Sequence, residues 1–299
     1  MKYITDTQIR NLNISSQTML DWVDHVIRMK KETILPPKIS IHLENAIFYN
    51  TMPCVIPGLG IAGVKEVNRY PNNTPSLNSQ MMIYDLPTGG LKCIMDASYI
   101  TTIRTAAVAI HSVHLFAAKD YKIISFIGLG EVGSMALKIY IETLNGRNVI
   151  IRLFNYKNRA RFFVDMYKKY NNISFEIFED YESFIDNADV IVSAVTYQEN
   201  DFTTPDKYKD GVLLVPVHTR GFTECDLVFD KIFGDDYGHI CNFKYFNYYK
   251  YFSEITDVLS GNTVGRVNDN ERIITYSIGI AIHDLYFGNK VFELLKDSE

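Results

Sequence analysis

The sequence has few of the residues and spacings that build metal sites or disulfide frameworks. Its 299 residues include four cysteines, which lie far apart without a CxxC pair, and seven histidines, which include no HExxH motif. Isolated cysteines usually pack as small apolar side chains. We therefore predict no metal site and four reduced cysteines, Cys54, Cys93, Cys225 and Cys241.

An excess of positive charge and a long apolar segment are also absent. The chain has 30 Lys and Arg against 35 Asp and Glu, a formal net charge of −5, which gives no general field that attracts nucleic acid. No stretch approaches the roughly 18 apolar residues of a membrane-spanning helix, and the N-terminus has no apolar signal region. We predict a cytoplasmic protein that binds neither nucleic acid nor membrane.

One segment, residues 243–252, interleaves aromatic side chains with lysines, a pattern that also occurs in proteins that bind single-stranded nucleic acid. Because the chain is acidic and the segment has two lysines, Lys244 and Lys250, we favour aromatic packing or a lid beside the site.

The apolar pattern predicts two parts with different architectures. An amphipathic helix over 15–31 is followed by short β-prone runs from 39 to about 95, typical of a meandering sheet, and by a second helix that ends near 119. From 123 onward, apolar strand runs at 123–127, 148–155, 188–194 and 213–217 alternate with helices at 135–143 and 159–170. The tail over 273–295 is apolar at helical spacing and is expected to return to the first part.

This alternation predicts an α/β protein. We assign residues 114–266 to a Rossmann dinucleotide-binding domain, and residues 1–113 with 267–299 to a discontinuous α+β domain for substrate binding and dimerisation.

A glycine motif follows the strand at 123–127 directly, in the sequence Gly128-Leu129-Gly130-Glu131-Val132-Gly133. Gly128 allows a tight turn, Gly130 lets the backbone approach a pyrophosphate, and Gly133 allows the following helix to pack closely. The helix N-terminus, which includes Glu131 and Val132, then offers its N–H groups to the phosphates. Because the motif lies between a strand and a helix, it predicts dinucleotide binding rather than an ordinary turn.

The end of the second Rossmann strand indicates which dinucleotide is bound. Many such proteins have an acidic residue there that binds the ribose 2′-hydroxyl, whereas this chain has Asn155, followed by Lys157 and Arg159. An uncharged side chain beside two cations tolerates a 2′-phosphate, so NADP(H) is favoured and NAD(H) stays possible. The alternative is that both cations are merely solvated residues at a helix start.

Segments on both sides of the glycine motif resemble the ornithine cyclodeaminase and μ-crystallin family, over nearly the whole chain and in the family's order. The motifs that carry the resemblance are Gly63-Val64-Lys65, Tyr70-Pro71-Asn72-Asn73, Met95-Asp96-Ala97, Arg104-Thr105-Ala106-Ala107, Gly265-Arg266 and Ser277-Ile278-Gly279-Ile280-Ala281-Ile282-His283-Asp284. The resemblance implies a homodimer, a barrel-like N-terminal domain, a Rossmann domain, and a site for a small amino, imino or keto acid between them.

The resemblance also assigns residues. Lys65 and Arg104 match residues that hold the substrate carboxylate, and Lys38 occupies the place of an Arg with the same role in many members. Arg104 and Thr105 lie near the cofactor, as do Ser193 and Thr196. Ile278 and Gly279 match the segment that closes the site, although core packing is an alternative for Ile278.

One departure concerns the reaction. Where cyclodeaminases have a catalytic Asp, this chain has His218, which is able to act as a general acid. We therefore predict an NAD(P)H-dependent reductase of α-imino or α-keto acids, an amino acid dehydrogenase or an opine-type synthase, with Lys65 or His218 handling the proton. Ornithine cyclodeaminase and a non-enzymatic protein that binds NADPH and a small ligand are the alternatives, and His218 as a simple strand-end histidine also stays open.

Overall fold

The chain folds into two units, each built on its own sheet. The computed structural model describes residues 2–196, 198–217 and 220–297. The first unit comprises residues 1–104 and 279–299, and the second comprises residues 105–278. The α/β fold class predicted from the sequence is confirmed.

The first unit is a six-stranded mixed sheet with helices. Strands β2 to β6 pair antiparallel in sequence order, and β1 joins β6 in parallel at one edge. Its elements are β1 Lys2–Ile4, α1 Asp6–Asn11, α2 Ser16–Arg28, β2 Ile39–His42, β3 Phe48–Ile56, β4 Ile61–Arg69, β5 Leu77–Asp85, β6 Leu91–Asp96, the first turns of α3 Ser98–Phe116, and the C-terminal helix, which is α9 in chain order, Ala281–Lys296.

Helix α9 packs on strands β3 to β5 and on α2, whose apolar side chains Met19, Val23 and Val26 are buried. Helix α9 and the sheet approach each other so closely that a Cβ on Gly63 would lie 2.5 Å from Leu285 Cδ1, and one on Gly288 would lie 2.1 Å from Met81 Cε. The helix that follows the second unit is thereby fixed against the sheet of the first.

The second unit is an eight-stranded sheet in the order β13-β12-β14-β11-β10-β7-β8-β9, with every described pairing parallel. The side chains of the inner strands are mostly buried and apolar, as expected of a sheet covered on both faces, whereas the edge strands β9 and β13 are partly exposed. The elements after α3 are β7 Ile123–Ile127, α4 Glu131–Glu142, β8 Val149–Phe154, α5 Arg159–Tyr167, β9 Ile173–Phe178, α6 Tyr181–Ile185, β10 Val190–Ser193, β11 Leu213–Pro216, β12 Lys231–Gly234, α7 Tyr237–Ile240, β13 Phe252–Glu254, α8 Ile255–Leu259 and β14 Ile273–Tyr276.

The aromatic segment at 243–252 packs on the core of this unit. Phe243, Phe246, Tyr249 and Phe252 all lie against its buried side chains. These four aromatic side chains are partly buried, so the segment packs against the outside of the hydrophobic core.

The tail was predicted incorrectly at its start. Residues 273–276 form strand β14 between β11 and β12, and the helix begins only at Ala281. The two units divide at 104/105 and 278/279, and the domain limits of 113/114 and 266/267 stay a prediction from the sequence. Strand β9 is absent from the predicted strand runs, although its residues Ile173, Phe175 and Ile177 alternate with polar ones.

The four cysteines have free thiols, and three of them are buried. Among the described residues, no cluster of His, Cys, Asp and Glu is arranged to hold a metal ion. No helix in the described ranges is both long enough and apolar enough to span a bilayer.

Candidate active site

The glycine motif forms a tight turn between β7 and α4. Gly128 has a φ of +86°, and a Cβ there would lie 2.6 Å from the carbonyl carbon of Ala194. A Cβ on Gly133 would lie 2.1 Å from the carbonyl oxygen of Gly128. Both positions therefore require glycine, the first because of its backbone conformation and the neighbouring chain, the second because the helix begins so close to the strand.

Gly130 differs from its two neighbours in the motif. A Cβ on Gly130 would meet no atom of the described structure within 4 Å, so the space beside it is open. Helix α4 begins directly after it, and the N–H groups of a first helical turn, here Glu131, Val132 and Gly133, have no intrahelical acceptor. Open space facing free N–H groups at a helix N-terminus suits a phosphate.

The motif lies where the strand order of the parallel sheet reverses. Strand β7 has β8 on one side and β10 on the other, and the N–H of Ala194 after β10 donates to the carbonyl of Ile127 at 2.9 Å. Nucleotides bind at such switch points, outside the carboxyl ends of the strands. A cavity of about 590 Å³ opens here, lined by Ile127, Gly128, Leu129, Gly130, Phe154, Tyr156, Lys157, Arg159, Tyr181, Ala194, Val195, Thr196 and Gln198.

Among the predicted cofactor residues, Lys157, Arg159 and Thr196 line this cavity directly with exposed side chains. Ser193 is fully buried at the end of β10, and Thr105 is half-buried on α3. Neither of these two is among the described residues that line the cavity. The size of the cavity and its open phosphate position fit a dinucleotide.

Asn155 is held by Glu179, a residue for which the sequence predicts no role. Its Nδ2 donates to Glu179 Oε1 at 2.9 Å, while its Oδ1 is buried without a hydrogen bond from the described residues. Glu179 directly follows β9, whose Phe178 is in register with Phe154 of β8. A carboxylate from the end of the neighbouring strand thus lies beside Asn155, a relation that no local sequence signal reveals.

In the first unit, Lys65 and Arg104 meet at a third residue, Asp284. Lys65 Nζ lies 2.8 Å from Asp284 Oδ1, and Arg104 Nε donates to the same oxygen at 2.9 Å. Lys65 projects from β4, Arg104 from the first turns of α3, and Asp284 from the first turn of α9. Lys65 Nζ also lies 3.4 Å from Thr101 Oγ1. All three charged side chains are buried, with exposures of 1%, 8% and 1% in the order Lys65, Arg104, Asp284.

Burial and charge act against each other in this cluster. Burial lowers the pKa of Lys65 to about 8, with Asp284 opposing this effect and Arg104 and Lys38 adding to it. Burial alone would raise the pKa of Asp284, but Arg104 and Lys65 more than offset it, so that its pKa is below the ordinary value. At neutral pH the cluster thus contains two cations and one carboxylate.

The other predicted substrate residues have different surroundings. Lys38, half-buried just before β2, is near enough to influence Lys65 electrostatically. Gly279 lies against the guanidinium of Arg104, since a Cβ on it would be 3.2 Å from Nη1 and 3.3 Å from Nη2. Ile278 packs against the core of the second unit. His218 lies outside the described residues.

Asp284 ends one of the motifs that carry the family resemblance, but the motif itself predicts no role for it. Its signal was a lone acidic residue in the apolar run Ile280-Ala281-Ile282-His283-Asp284. A fully buried acid requires a cationic or hydrogen-bonding partner. This requirement would have indicated a partner among the predicted cations.

The parallel sheet and its glycine turn define a Rossmann fold. Residues 4–299 match the ornithine cyclodeaminase/mu-crystallin family, and the chain belongs to that family. The resemblance stated from the sequence is confirmed.

Three similar proteins illustrate the range of this family. Nodulation efficiency protein NfeD of Rhizobium meliloti is 27% identical, covering 87% of this chain and 83% of its own length. N-((2S)-2-amino-2-carboxyethyl)-L-glutamate dehydrogenase of Staphylococcus aureus is 24% identical, covering 77% and 72%. The structure of Δ1-pyrroline-2-carboxylate reductase of Thermococcus litoralis, in complex with NADH and L-proline, has a TM-score of 0.87 at 21% identity, covering 100% and 98%. The relatives of this chain thus include imino acid reductases and amino acid dehydrogenases.

Proposed function

We propose that this protein is a nicotinamide-dinucleotide-dependent reductase of small α-imino or α-keto acids. The observation that carries the proposal is the excess of positive charge in the buried cluster of Lys65, Arg104 and Asp284, where two cations face one carboxylate. An uncompensated buried charge is costly, and a ligand carboxylate would neutralise it.

The chain's own groups supply binding and proton transfer. Arg104 binds a carboxylate through its planar fork, and Lys65 adds a compact charge with a remaining N–H, since its described partners are Asp284 and Thr101. Lys65, with a pKa of about 8, is also able to give a proton to an imine nitrogen or a carbonyl oxygen. His218 is the second candidate for this proton. A bound dinucleotide supplies the hydride for the α-carbon.

Steady-state oxidation of NADH and NADPH with a panel of small acids tests the proposal. The panel contains Δ1-pyrroline-2-carboxylate and pyruvate with ammonia or a primary amine. The matched control is 1-pyrroline, which has the same imine but no carboxylate. Two charge-assisted contacts at about 1.5–3 kcal/mol each predict a kcat/KM for the control that is lower by about 10²–10⁴-fold.

Three results would contradict the proposal. Equal rates with and without the carboxylate would show that the buried cations do not bind it. Release of ammonia and proline from ornithine without net change in nicotinamide absorbance would favour a cyclodeaminase. Tight NADPH binding without turnover of any panel member would favour a binding protein.

The finer proposal for the cofactor is a preference for NADPH. Lys157 and Arg159 line the cavity and are exposed, so they are able to pair with a 2′-phosphate. The carboxylate of Glu179, bonded to Asn155, opposes them. Equilibrium binding of NADPH and NADH to the wild type and to Lys157→Ala/Arg159→Ala measures the balance, and an unchanged preference in the double variant would refute the assignment.

We also propose a homodimer formed through the first unit. Edge strand β2 exposes Ile39 at 61% and Ile41 at 56%, and Ile34 and Leu43 nearby are exposed at 62% and 53%. An apolar edge strand of this kind usually pairs with another chain. Light scattering should give a dimer for the wild type and a monomer for Ile41→Lys, whereas a wild-type monomer would refute the proposal.

A further inference from the structure

Asp284 joins the two cations of the proposed carboxylate site through a single oxygen atom. Its Oδ1 lies 2.8 Å from Lys65 Nζ and 2.9 Å from Arg104 Nε. Its Oδ2 is buried and accepts no hydrogen bond from the described residues. The carboxylate therefore directs both of its strong contacts to one side.

This arrangement differs from that of an ordinary buried ion pair. A structural pair is best balanced with one cation for each carboxylate, and in general each oxygen accepts its own hydrogen bonds. Here both cations contact Oδ1 of Asp284, and neither of them donates to Oδ2. Stability alone gives no reason for the second cation, but simultaneous presentation of two cations to an anionic ligand does.

We infer that Asp284 is the positioning residue of the substrate site: it holds the Lys65 ammonium and the Arg104 guanidinium together as one receptor for the carboxylate of the substrate. The inference rests on the proposed function, since it assigns the origin of the geometry that the carboxylate meets. Asp284 itself is not required to touch the substrate.

The elements around Asp284 place it among several charged or titratable groups. Without it, Lys65 would face mainly cations, and its proton would be lost more readily. Asp284 therefore maintains the charge of Lys65 as well as its position. The charged or titratable groups around the pair of Asp284 and Lys65 are Lys38 before β2, Cys54 on β3, Arg104 on α3 and His283 on α9.

Two variants separate the charge of Asp284 from its position. Asp284→Asn keeps the shape and removes the charge, so KM for the imino acid should rise by about 10–100-fold, and the basic limb of the kcat/KM profile should move to lower pH by about one unit. Asp284→Glu keeps the charge but moves the carboxylate by one methylene, so KM should rise while the basic limb stays. If Asp284→Asn does not fold, the Glu variant still tests the positioning role through KM.

The matched control is Asp226→Asn, the same change at a carboxyl in the second unit that is also buried, at 2% exposure. It should leave KM and the basic limb unchanged, and all three variants should bind NADPH as the wild type does. L-Proline binding, measured by calorimetry with the nicotinamide dinucleotide present, provides a readout independent of turnover.

The outcomes distinguish this inference from the function on which it rests. Wild-type turnover with an unchanged KM and pH profile in both Asp284 variants would leave the proposed function in place and overturn the positioning role. A wild type that neither reduces any acid of the panel nor binds L-proline would overturn both. A rise in KM in Asp284→Asn and Asp284→Glu, with the basic limb displaced only in Asp284→Asn, would support the inference.

Discussion

A buried acid in the second unit makes the stability of this protein depend on pH. Asp226 is 2% exposed; the Tyr276 hydroxyl donates to its Oδ1 at 2.7 Å, and the Tyr249 hydroxyl donates to its Oδ2 at 3.1 Å. In the described part of the chain, no basic side chain forms an ion pair with it. Burial raises the pKa of Asp226 from 3.8 to about 7, although the two hydroxyl groups act in the opposite direction.

The sign of the effect follows from the direction of this shift. The folded protein holds the Asp226 proton more tightly than the unfolded chain does, so the free energy of unfolding falls as pH rises from about 4 to about 7. At about 1.4 kcal/mol for each pH unit, the whole range corresponds to about 4 kcal/mol. Asp226→Asn removes the titration, at a cost of about 1 kcal/mol if one hydroxyl bond has worse geometry.

We therefore expect Asp226→Asn to be more stable than the wild type by about 2–3 kcal/mol at pH 8, and similar or slightly less stable below about pH 5. Urea unfolding of both proteins, followed by circular dichroism at several pH values, measures the difference. Glu142→Gln, an exposed change, should show a small difference that does not vary with pH. A constant difference between Asp226→Asn and the wild type from pH 5 to pH 8 would mean that Asp226 is ionised throughout, which would refute the reasoning.

Three further predictions concern the proposed dinucleotide site in the second unit and the buried cluster of Lys65, Arg104 and Asp284 in the first. Gly130→Ala should fold normally, because a Cβ there meets no described atom within 4 Å, yet it should weaken NADPH binding by about tenfold or more. Glu179→Gln should raise the preference for NADPH over NADH by about threefold to tenfold, since it removes a negative charge beside Asn155. Lys65→Met should lower kcat/KM for the imino acid by about 100-fold or more. It should not cause a large loss of stability, because Arg104 and Asp284 remain as a one-to-one pair. For the same reason that Lys65 is needed, kcat/KM of the wild type should fall above a pH of about 8, where Lys65 loses its proton.

Each of these predictions has its own control. Gly133→Ala should destabilise the protein as well as weaken binding, so equal behaviour of the two glycine variants would contradict the open space at Gly130. For Glu179→Gln, the same charge change at Glu142 should leave the cofactor preference unaltered. For Lys65→Met, wild-type activity or a loss of NADPH binding would place Lys65 outside the role that we assign to it. Melting temperatures and NADPH titrations provide these comparisons.

The parts of the fold that could be predicted from sequence are those with local signals. Strand β7 and its glycine turn were found because a buried parallel strand is continuously apolar and because Gly128 and Gly133 occupy positions where a Cβ would clash. The strands of the first sheet were also found approximately, because proline, glycine and asparagine separate the β-prone runs, and helix α3 was found from the helical spacing of its apolar residues. Strand β14 was missed because its four buried residues lead into an apolar helix and because its partners, β11 and β12, are distant in the chain.

The candidate site also combines residues that have a local sequence signal with residues that have none. The resemblance of short motifs predicted that Lys65 and Arg104 act together, and the structure brings both to Asp284. It could not identify Glu179, whose relation to Asn155 depends on the register of two neighbouring strands. The roles of all the predicted site residues stay predictions.

Charge balance explains why Lys65, Arg104 and Asp284 lie together, which the motifs alone do not explain. A sequence states the sign of each side chain but not its burial, and two buried cations are tolerated only if something offsets their repulsion. Asp284 offsets one of the two charges, and it does so through one oxygen that both cations share. The remaining positive charge is therefore best understood as a requirement for an anionic ligand, and this requirement, more than the identity of any one residue, is what makes the first unit a carboxylate receptor in our proposal.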